Sequence, residues 1–198
     1  MAFTDTGGEL FRLLRVLESG DRTRLTGENY GLRNGNALGA YQMGASSLIQ
    51  IGAVRAGGDV NRPADWTGRY GSSAEEFLAT KALQDRACLA YMNTLDARLD
   101  DAYNAYFGTR QNGAVVNRSG ALLCSWENPE ETRLAITGRP YSHDPRTGLA
   151  DYVTRMQFGA LVEGTPAPVA APEPVEGAPS TGEGGDSGPD DPPLPLGL

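Results

Sequence analysis

Apolar residues recur at helical spacing in several stretches of the chain, and polar, turn-rich segments separate them. Residues 9–17 show the i, i+3, i+4, i+7 spacing of an amphipathic helix, with apolar side chains at Leu10, Phe11, Leu13, Leu14 and Leu17. Ser19 and Gly20 end this helix. The longest stripe of apolar residues at helical spacing extends over residues 81–106. The whole pattern predicts five to seven helices and few strands.

Capping signals mark where the other helices begin. Ser73 followed by Glu76 is a capping box, with a pause expected near Thr80. Ser119 is predicted to cap a short helix that reaches Trp126, and Asn128-Pro129 starts the next one. The predicted ranges of the remaining helices are 44–55, 129–137 and 149–161.

Residues 21–38 are polar and rich in turn formers, without helical periodicity. They predict a long ordered loop or a short hairpin, and Asn34-Gly35 is the strongest turn signal because both residue types tolerate positive φ. A loop of this length inside a compact domain is usually functional.

The composition changes beyond residue 162. Residues 163–198 consist almost entirely of Pro, Gly, Ala, Glu, Asp, Ser and Thr, which bury too little apolar surface to offset the entropy of ordering. The sequence therefore predicts one domain, residues 1–162, and a disordered acidic tail, residues 163–198. The Pro-rich end at Pro192–Pro195 is interpreted either as a partner-binding motif or as part of an inert tether.

Charge and composition narrow the function classes. The chain has 17 basic and 25 acidic residues; seven of the acids lie in the tail, which leaves 18 acids against 17 bases in the body. No basic patch indicates a nucleic-acid partner, and no apolar run indicates a membrane span or signal peptide, so we expect synthesis in the cytoplasm. Cys88 and Cys124 lie in apolar surroundings and favour two buried thiols, with a disulfide as the open alternative.

The common catalytic and metal motifs are absent from the sequence. It contains no G-x-S-x-G, Walker loop, H-E-x-x-H or C-x-x-C, and its one histidine, His143, cannot anchor a metal site alone. We therefore expect neither a metal nor another cofactor. His143 is interpreted as a solvated loop residue.

Glu18 is the acidic residue whose position needs an explanation. It falls in the last turn of the first predicted helix, where the helix dipole disfavours a carboxylate by about 0.3–1 kcal/mol. Position alone leaves two interpretations open, a solvated surface residue and a catalytic acid.

Two short motifs carry a resemblance to a known family. At Glu18-Ser19-Gly20 and at Gly39-Ala40-Tyr41-Gln42-Met43 the chain resembles the lysozyme-like superfamily, especially lytic transglycosylases and muramidase-like phage proteins. In that family a Glu-Ser at a helix end precedes a Gly-x-x-Gln-Met-like segment that lines the sugar cleft. A weaker similarity to phage-type relatives covers residues 119–123 and 144–152. The resemblance implies a mainly α, lysozyme-like domain with a small hairpin or loop subdomain.

The resemblance also implies a reaction, cleavage of the glycan strand of peptidoglycan. Glu18 would be the general acid and base, because a Glu in a partly apolar pocket stays protonated and can donate to the leaving oxygen. Ser19, Gly39 and Gln42 carry over as substrate-binding positions. The aromatic candidates near the sugar are Tyr41, Tyr152, Tyr30 and Trp66.

A glycosidase of this kind usually needs a second carboxylate. Glu28, in the loop between the two motifs, is the first candidate and Asp21 the next. The family offers another route, in which the substrate's own N-acetyl group assists and an anhydro product forms. The sequence leaves hydrolysis and anhydro formation open.

Two other classes of function remain. One is a non-catalytic virion or structural module that keeps a lysozyme-like fold and binds glycan or protein. The other is an interaction protein that recruits a partner through its Pro-rich tail. A wall-degrading enzyme would reach the cell wall through a holin, a secretion machine or a phage particle, so proteins of a phage or phage-like particle are candidate partners.

Overall fold

A computed structural model of the chain describes residues 2–22, 24–99, 101–139 and 147–164. The chain divides into two units, Met1–Pro168 and Val169–Leu198, and the second lies outside the described residues. The interpretations of His143 and of the tail from residue 165 onward, including its Pro-rich end, also fall outside them.

The described part of the chain is mainly helical, as predicted, with seven helices of six or more residues and two short hairpins. The elements in chain order are α1 Glu9–Ser19, β1 Arg33–Asn34, β2 Ala37–Leu38, α2 Ala45–Gln50, a 3-10 turn at Pro63–Asp65, α3 Ala74–Ala79, α4 Lys81–Arg98, α5 Asp101–Asn104, β3 Arg110–Gln111, β4 Ala114–Val115, α6 Arg118–Glu127, α7 Pro129–Ile136 and α8 Thr147–Val162.

The first helix forms where the apolar stripe predicts it. Its inward face is fully buried, and the chain leaves the helix at Gly20, where a Cβ would overlap the carbonyl oxygen of Gly27. Only glycine permits this close approach. The loop that follows is closed by paired hydrogen bonds between the backbones of Asp21 and Thr26.

The polar stretch contains a short hairpin, one of its two predicted forms. β1 and β2 pair antiparallel, with Asn34 opposite Ala37, and Gly35 adopts φ +58° in the turn. A second reversal follows at once, because Leu38 and Met43 exchange backbone hydrogen bonds of 3.1 and 2.9 Å around residues 39–42. These two reversals form the small loop subdomain next to the helices.

Several boundaries differ from the predictions. Helix α2 ends at Gln50 instead of residue 55, since Gly52 turns the chain at φ +72° and Val54 pairs with Trp66. Asn117, not Ser119, caps α6, its Oδ1 accepting from the backbone N–H of Gly120 at 2.7 Å.

Residues 110–115, which lie between the predicted helices, form the hairpin β3–β4. Its turn is Asn112-Gly113, with φ +48° and +84°. An Asn-Gly pair is a strong hairpin signal, so the sequence contained the information that this segment would pair with itself.

Helix α6 lies at the centre of the core. It is buried from Gly120 to Trp126 and packs against α4, α7 and α8. It crosses α8 at two glycines: a Cβ on Gly159 would overlap the backbone of Gly120. Glu163, assigned to the tail from sequence, accepts a hydrogen bond from the backbone N–H of Ser119 at 2.8 Å at the start of α6. The crossing fixes the distance between α6 and α8, and with it the position of Arg155 one turn earlier.

Candidate active site

Glu18 lies against a buried arginine, Arg155, on α8. Oε1 of Glu18 accepts a hydrogen bond of 2.9 Å from Nη1 of Arg155 on α8, and only 9% and 3% of the two side chains are exposed. The same Nη1 donates to the carbonyl oxygen of Leu123 on α6 at 2.9 Å. The pair therefore sits where α1, α6 and α8 meet.

Burial is the largest influence on the acidity of Glu18. Desolvation raises the pKa of this carboxyl, the charge of Arg155 opposes the rise, and the negative charge of Glu127 adds to it; the net direction is upward. Its place at the carboxyl end of α1 acts in the same direction, because the helix dipole there disfavours a negative charge. The surface interpretation of Glu18 is thus wrong.

Arg155 binds three carboxylates. Its Nε donates to Oδ2 of Asp151 at 2.6 Å, one turn earlier on α8, and its Nη2 lies 3.5 Å from Oε2 of Glu127 at the end of α6. Burial lowers the pKa of the guanidinium, but the negative charges of Glu18 and Asp151 outweigh it, and the net direction is upward. Arg155 consequently stays charged at any working pH.

A second arginine joins the end of α1 to α8. Nε of Arg22 donates to the carbonyl oxygen of Leu17 at 3.0 Å, and its Nη1 donates to Oδ1 of Asp151 at 2.9 Å. The first bond satisfies a carbonyl that the end of α1 leaves without an intrahelical partner. Arg22 and Arg155 thus link three acids, Glu18, Glu127 and Asp151.

These groups line an open cleft of about 380 Å³. Its walls are mainly polar, and the lining residues are Leu17, Glu18, Arg22, Asn34, Ala37, Gln42, Glu127, Asp151 and Arg155. Asn34 and Ala37 come from the β1–β2 hairpin, so the loop subdomain forms one wall and the ends of α1, α6 and α8 form the other. The volume falls within the range of small-molecule sites.

Gln42 is the motif residue that the structure brings into the cleft beside Glu18. It adopts φ +46°, an uncommon conformation for a residue with a side chain, and its Nε2 donates to the carbonyl oxygen of Gly39 at 2.8 Å. The side chain thus closes the turn that carries it.

A fully buried glutamine on α4 holds this turn from below. Oε1 of Gln84 accepts from the backbone N–H of Ala40 at 3.0 Å, and its Nε2 donates to the carbonyl oxygens of Tyr30 at 2.8 Å and Phe77 at 3.0 Å. Gly39, at φ +77°, packs so closely that a Cβ there would overlap the amide of Gln84. Gly39 therefore has a packing role and does not line the cleft.

The tyrosines predicted to contact a sugar lie in the core instead. Tyr41 is fully buried, with its hydroxyl between Nη1 of Arg15 at 2.8 Å and Oδ1 of Asp85 at 2.7 Å, and Tyr152 is 1% exposed within the core. Neither ring offers a face to a ligand. Tyr30 packs edge-on against Tyr41, and Trp66 donates from Nε1 to the carbonyl oxygen of Val60 inside the core. No aromatic ring lines the cleft within the described residues.

The loop acids predicted to assist Glu18 lie elsewhere. Glu28 forms an ion pair with Arg15, and Asp21 accepts from the backbone N–H of Arg24 at 3.1 Å; neither lines the cleft. Ser19 donates to the carbonyl oxygen of Arg15 at 3.2 Å and accepts from the backbone N–H of Asn29 at 3.1 Å. Ser19 thereby fastens the loop to α1 and does not reach the cleft either.

Arg22, Glu127, Asp151 and Arg155 are the charged site residues that the sequence analysis missed. One signal was present: Tyr152, Arg155, Met156 and Gly159 share the i, i+3, i+4, i+7 spacing of one helical face. A charged residue on an otherwise apolar face needs a buried partner. Nothing in the sequence identified Glu18 as that partner.

Cys88 and Cys124 are both buried and free, as favoured from sequence, and burial raises the pKa of Cys124 to about 12. Within the described ranges, no group of three or more His, Cys, Asp or Glu side chains is arranged to hold a metal ion. No described helix is long and apolar enough to cross a membrane.

Comparison with known proteins adds no relative. No protein-family model, curated protein sequence or solved structure matches the chain. The function must therefore be argued from the site itself.

Proposed function

We propose that the protein cleaves the glycan strand of peptidoglycan, between N-acetylmuramic acid and N-acetylglucosamine, with Glu18 as general acid and base. The observation that carries the proposal is a glutamic acid, buried by three helices, that opens onto a polar cleft. The choice of peptidoglycan rests on the resemblance at Glu18-Ser19 and Gly39–Met43. Under this proposal the protein acts on the cell wall, either free or as part of a phage-like particle.

The environment of Glu18 suits a proton donor. Burial raises its pKa, so that a larger fraction of the carboxyl is protonated and can donate to a leaving glycosidic oxygen. Once the proton is gone, the hydrogen bond from Arg155 Nη1 stabilises the carboxylate. In the anhydro-forming route the carboxylate then acts as the base of the second step and takes the proton of the substrate hydroxyl that closes the anhydro ring; in the hydrolytic route Glu127 is the base.

The remaining lining suits a polyhydroxylated ligand. Gln42 and Asn34 supply amides from the loop subdomain, and Arg22 supplies donors from the end of α1. Amide groups can both donate to and accept from hydroxyl and N-acetyl groups. Aromatic stacking, expected from sequence, has no part in this proposal.

Glu127 replaces Glu28 as the second carboxylate. It is held by Nη2 of the guanidinium whose Nη1 holds Glu18, and 54% of its side chain is exposed. Glu18 and Glu127 are thus held on two nitrogens of one guanidinium, and in glycosidases the separation of the two carboxyl groups decides between retention and inversion. The exposed Glu127 would activate water, while the buried Glu18 donates the proton.

Turnover of purified cell-wall sacculi tests the proposal. Glu18→Gln should lower the rate at least about 100-fold, the lower end of what a general acid contributes, and Glu127→Gln should lower it if water is the nucleophile. Glu130→Gln, an exposed acid on α7, is the matched control and should leave the rate unchanged. A Glu18→Gln protein that cleaves as fast as wild type would refute the proposal.

Mass analysis of the released fragments separates the two routes. Reducing-end muropeptides indicate hydrolysis with Glu127 as the base, whereas anhydro products indicate assistance by the substrate's N-acetyl group and remove the need for Glu127.

One observation favours a second candidate, a non-catalytic module that binds glycan or protein. The three ion pairs of the buried Arg155 could equally serve only to hold α1, α6 and α8 together. Binding to sacculi without release of soluble fragments, by wild type and Glu18→Gln alike, would support this candidate.

A further inference from the structure

A second cleft, also of about 380 Å³, lies between α4 and the turn at residues 68–71. Its lining residues are Arg69, Tyr70, Arg86, Leu89, Ala90 and Asn93. None of them lines the cleft at Glu18. The proposed glycan cleavage makes no use of this surface.

The two arginines of this second cleft are held over one aromatic ring. The guanidinium carbons of Arg69 and Arg86 lie 5.4 and 5.9 Å from the ring centroid of the buried Tyr70. Nη1 of Arg69 donates to the carbonyl oxygen of Ile51 at 3.1 Å, and Nη2 of Arg86 donates to that of Arg69 at 3.4 Å. These contacts reduce the conformational freedom that a ligand would otherwise have to remove.

The backbone of the turn sets this arrangement. Gly68 and Gly71 adopt φ +84° and +111°, and an isolated bridge pairs them across Arg69 and Tyr70. Both side chains therefore leave a tight reversal in fixed directions. Arg86 approaches the same ring from α4.

The charge in this cleft is unbalanced. Among the described residues no carboxylate lies within ion-pair distance of Arg69 or Arg86, whereas Arg12, Arg15, Arg22, Arg33, Arg118 and Arg155 each have one. The chain as a whole carries a formal charge of −8. Two guanidinium groups without a carboxylate partner in the described part of the chain thus lie side by side over one ring on an acidic protein.

We propose that this second cleft binds a carboxylate-bearing peptide. The planar fork of an arginine matches a carboxylate with two parallel hydrogen bonds. Leu89 and Ala90 supply an apolar surface beside the two arginines, which suits the methyl group of an alanine better than a bare phosphate. Both amide atoms of Asn93 are already bonded to the backbone of Phe3, so the recognition of charge falls to the arginines.

If the proposed function is right, peptidoglycan itself is a source of the peptide ligand. Peptidoglycan carries short peptides with free carboxylates and alanine methyl groups, so the same polymer would supply both ligands. This link rests on the proposed glycan cleavage. Peptide binding itself does not, and it is measured without any cleavage.

Binding is tested on the full ¹⁵N-labelled chain by NMR titration. The probes are acetyl-Ala-Glu-Ala with a free terminal carboxylate and its neutral counterpart acetyl-Ala-Gln-Ala-amide. We expect the acidic peptide to bind at least tenfold more tightly and to shift the amide signals of residues 68–71 and 89–93. Arg69→Gln and Arg86→Gln should each weaken binding about tenfold, or about 1.4 kcal/mol. Arg62→Gln, an exposed arginine paired with Asp59, is the matched control and should leave the Kd unchanged.

Several results would overturn the proposal. Equal affinity for the two peptides, shifts confined to other residues, or unchanged binding by both arginine variants would each do so. Inorganic phosphate that shifts the same signals and displaces the peptide at an equal concentration would show an anion site without peptide recognition. The shift pattern of the wild-type chain needs no variant, so the test holds even if a substitution impairs folding.

Discussion

Nη1 of Arg155 lies 2.9 Å from Oε1 of Glu18, although 137 positions separate the two residues along the chain. A pair this deeply buried is either a structural link or a catalytic acid with its counter-ion. The two roles predict opposite effects of the same substitution on stability.

Glu18→Gln is expected to leave the protein at least as stable as wild type at pH 7. The raised pKa of Glu18 means that the fold disfavours its charged form, and Arg155 keeps Asp151 and Glu127 as partners when Glu18 is neutralised. The free energy of unfolding from urea titrations measures this. A loss of about 3–5 kcal/mol, typical of breaking a buried ion pair, would instead assign Glu18 to the structural link.

The difference in stability between Glu18→Gln and wild type is expected to grow in favour of the variant as pH rises. Below the ordinary Glu pKa of about 4.3 the carboxyl is protonated in both the folded and unfolded states. Above it the unfolded chain ionises first, so wild type loses stability until the pH passes the raised pKa of folded Glu18. Urea titrations of both proteins between pH 4 and 8 measure the trend; a gap that shrinks with pH would contradict the upward shift.

Under the proposed function, the rate of glycan cleavage is expected to fall on the alkaline side at a pH above the ordinary Glu range. The general acid must be protonated in the free enzyme, and burial raises the pKa of Glu18. The pH dependence of kcat/KM on soluble glycan strands gives this pKa directly. An alkaline limb at the ordinary value near 4.3 would exclude Glu18 as the donor.

Most of the helices could be predicted from the sequence because their signals are local. The stripe of α1 and the Asn128 cap of α7 depend on neighbours within one or two turns. Only some of the residues that line the cleft could be predicted. Glu18 and Gln42 stand in short motifs, but Arg155 and Glu127 reach the cleft through the crossing of α6 and α8, which no local pattern encodes. Tyr41 shows the opposite error, since a residue inside a recognisable motif turned out to support the cleft from the core.

Gly159→Ala is expected to destabilise the fold severely, by several kcal/mol. The added methyl group would overlap the backbone of Gly120 and force α6 and α8 apart. Gly31→Ala is the matched control, because the Cβ there meets only the side chain of Asn29 at an ordinary 3.6 Å. Thermal unfolding by circular dichroism compares the two; equal Tm values would show that the helices separate at little cost.

Gln84→Met is expected to loosen the loop subdomain. The methionine fills a similar volume but leaves the backbone N–H of Ala40 and the carbonyl oxygen of Tyr30 without their partner. Each unsatisfied buried group costs about 1–3 kcal/mol. Hydrogen exchange of residues 30–43 should accelerate, whereas Gln50→Met, at an exposed position of α2, should leave it unchanged.

Cys88 and Cys124 are expected to resist thiol reagents in the native protein. Both are buried, and burial raises the pKa of each thiol, to about 12 for Cys124 and well above the ordinary value for Cys88, so little reactive thiolate forms. Titration with a chromogenic disulfide at pH 8 should show slow release that becomes rapid, with two equivalents, in denaturant. Immediate reaction of either thiol in the folded chain would contradict its burial.

The two walls of the cleft come from segments far apart in the chain, so the site forms only after those segments have come together. Glu18 belongs to the first described helix, and the guanidinium that holds it follows 137 residues later, on the last described helix. Until α8 has docked across Gly120, the acid has no counter-ion and the cleft lacks a wall. The site therefore forms only when α8 docks, and a chain cut short before α8 lacks both Asp151 and Arg155.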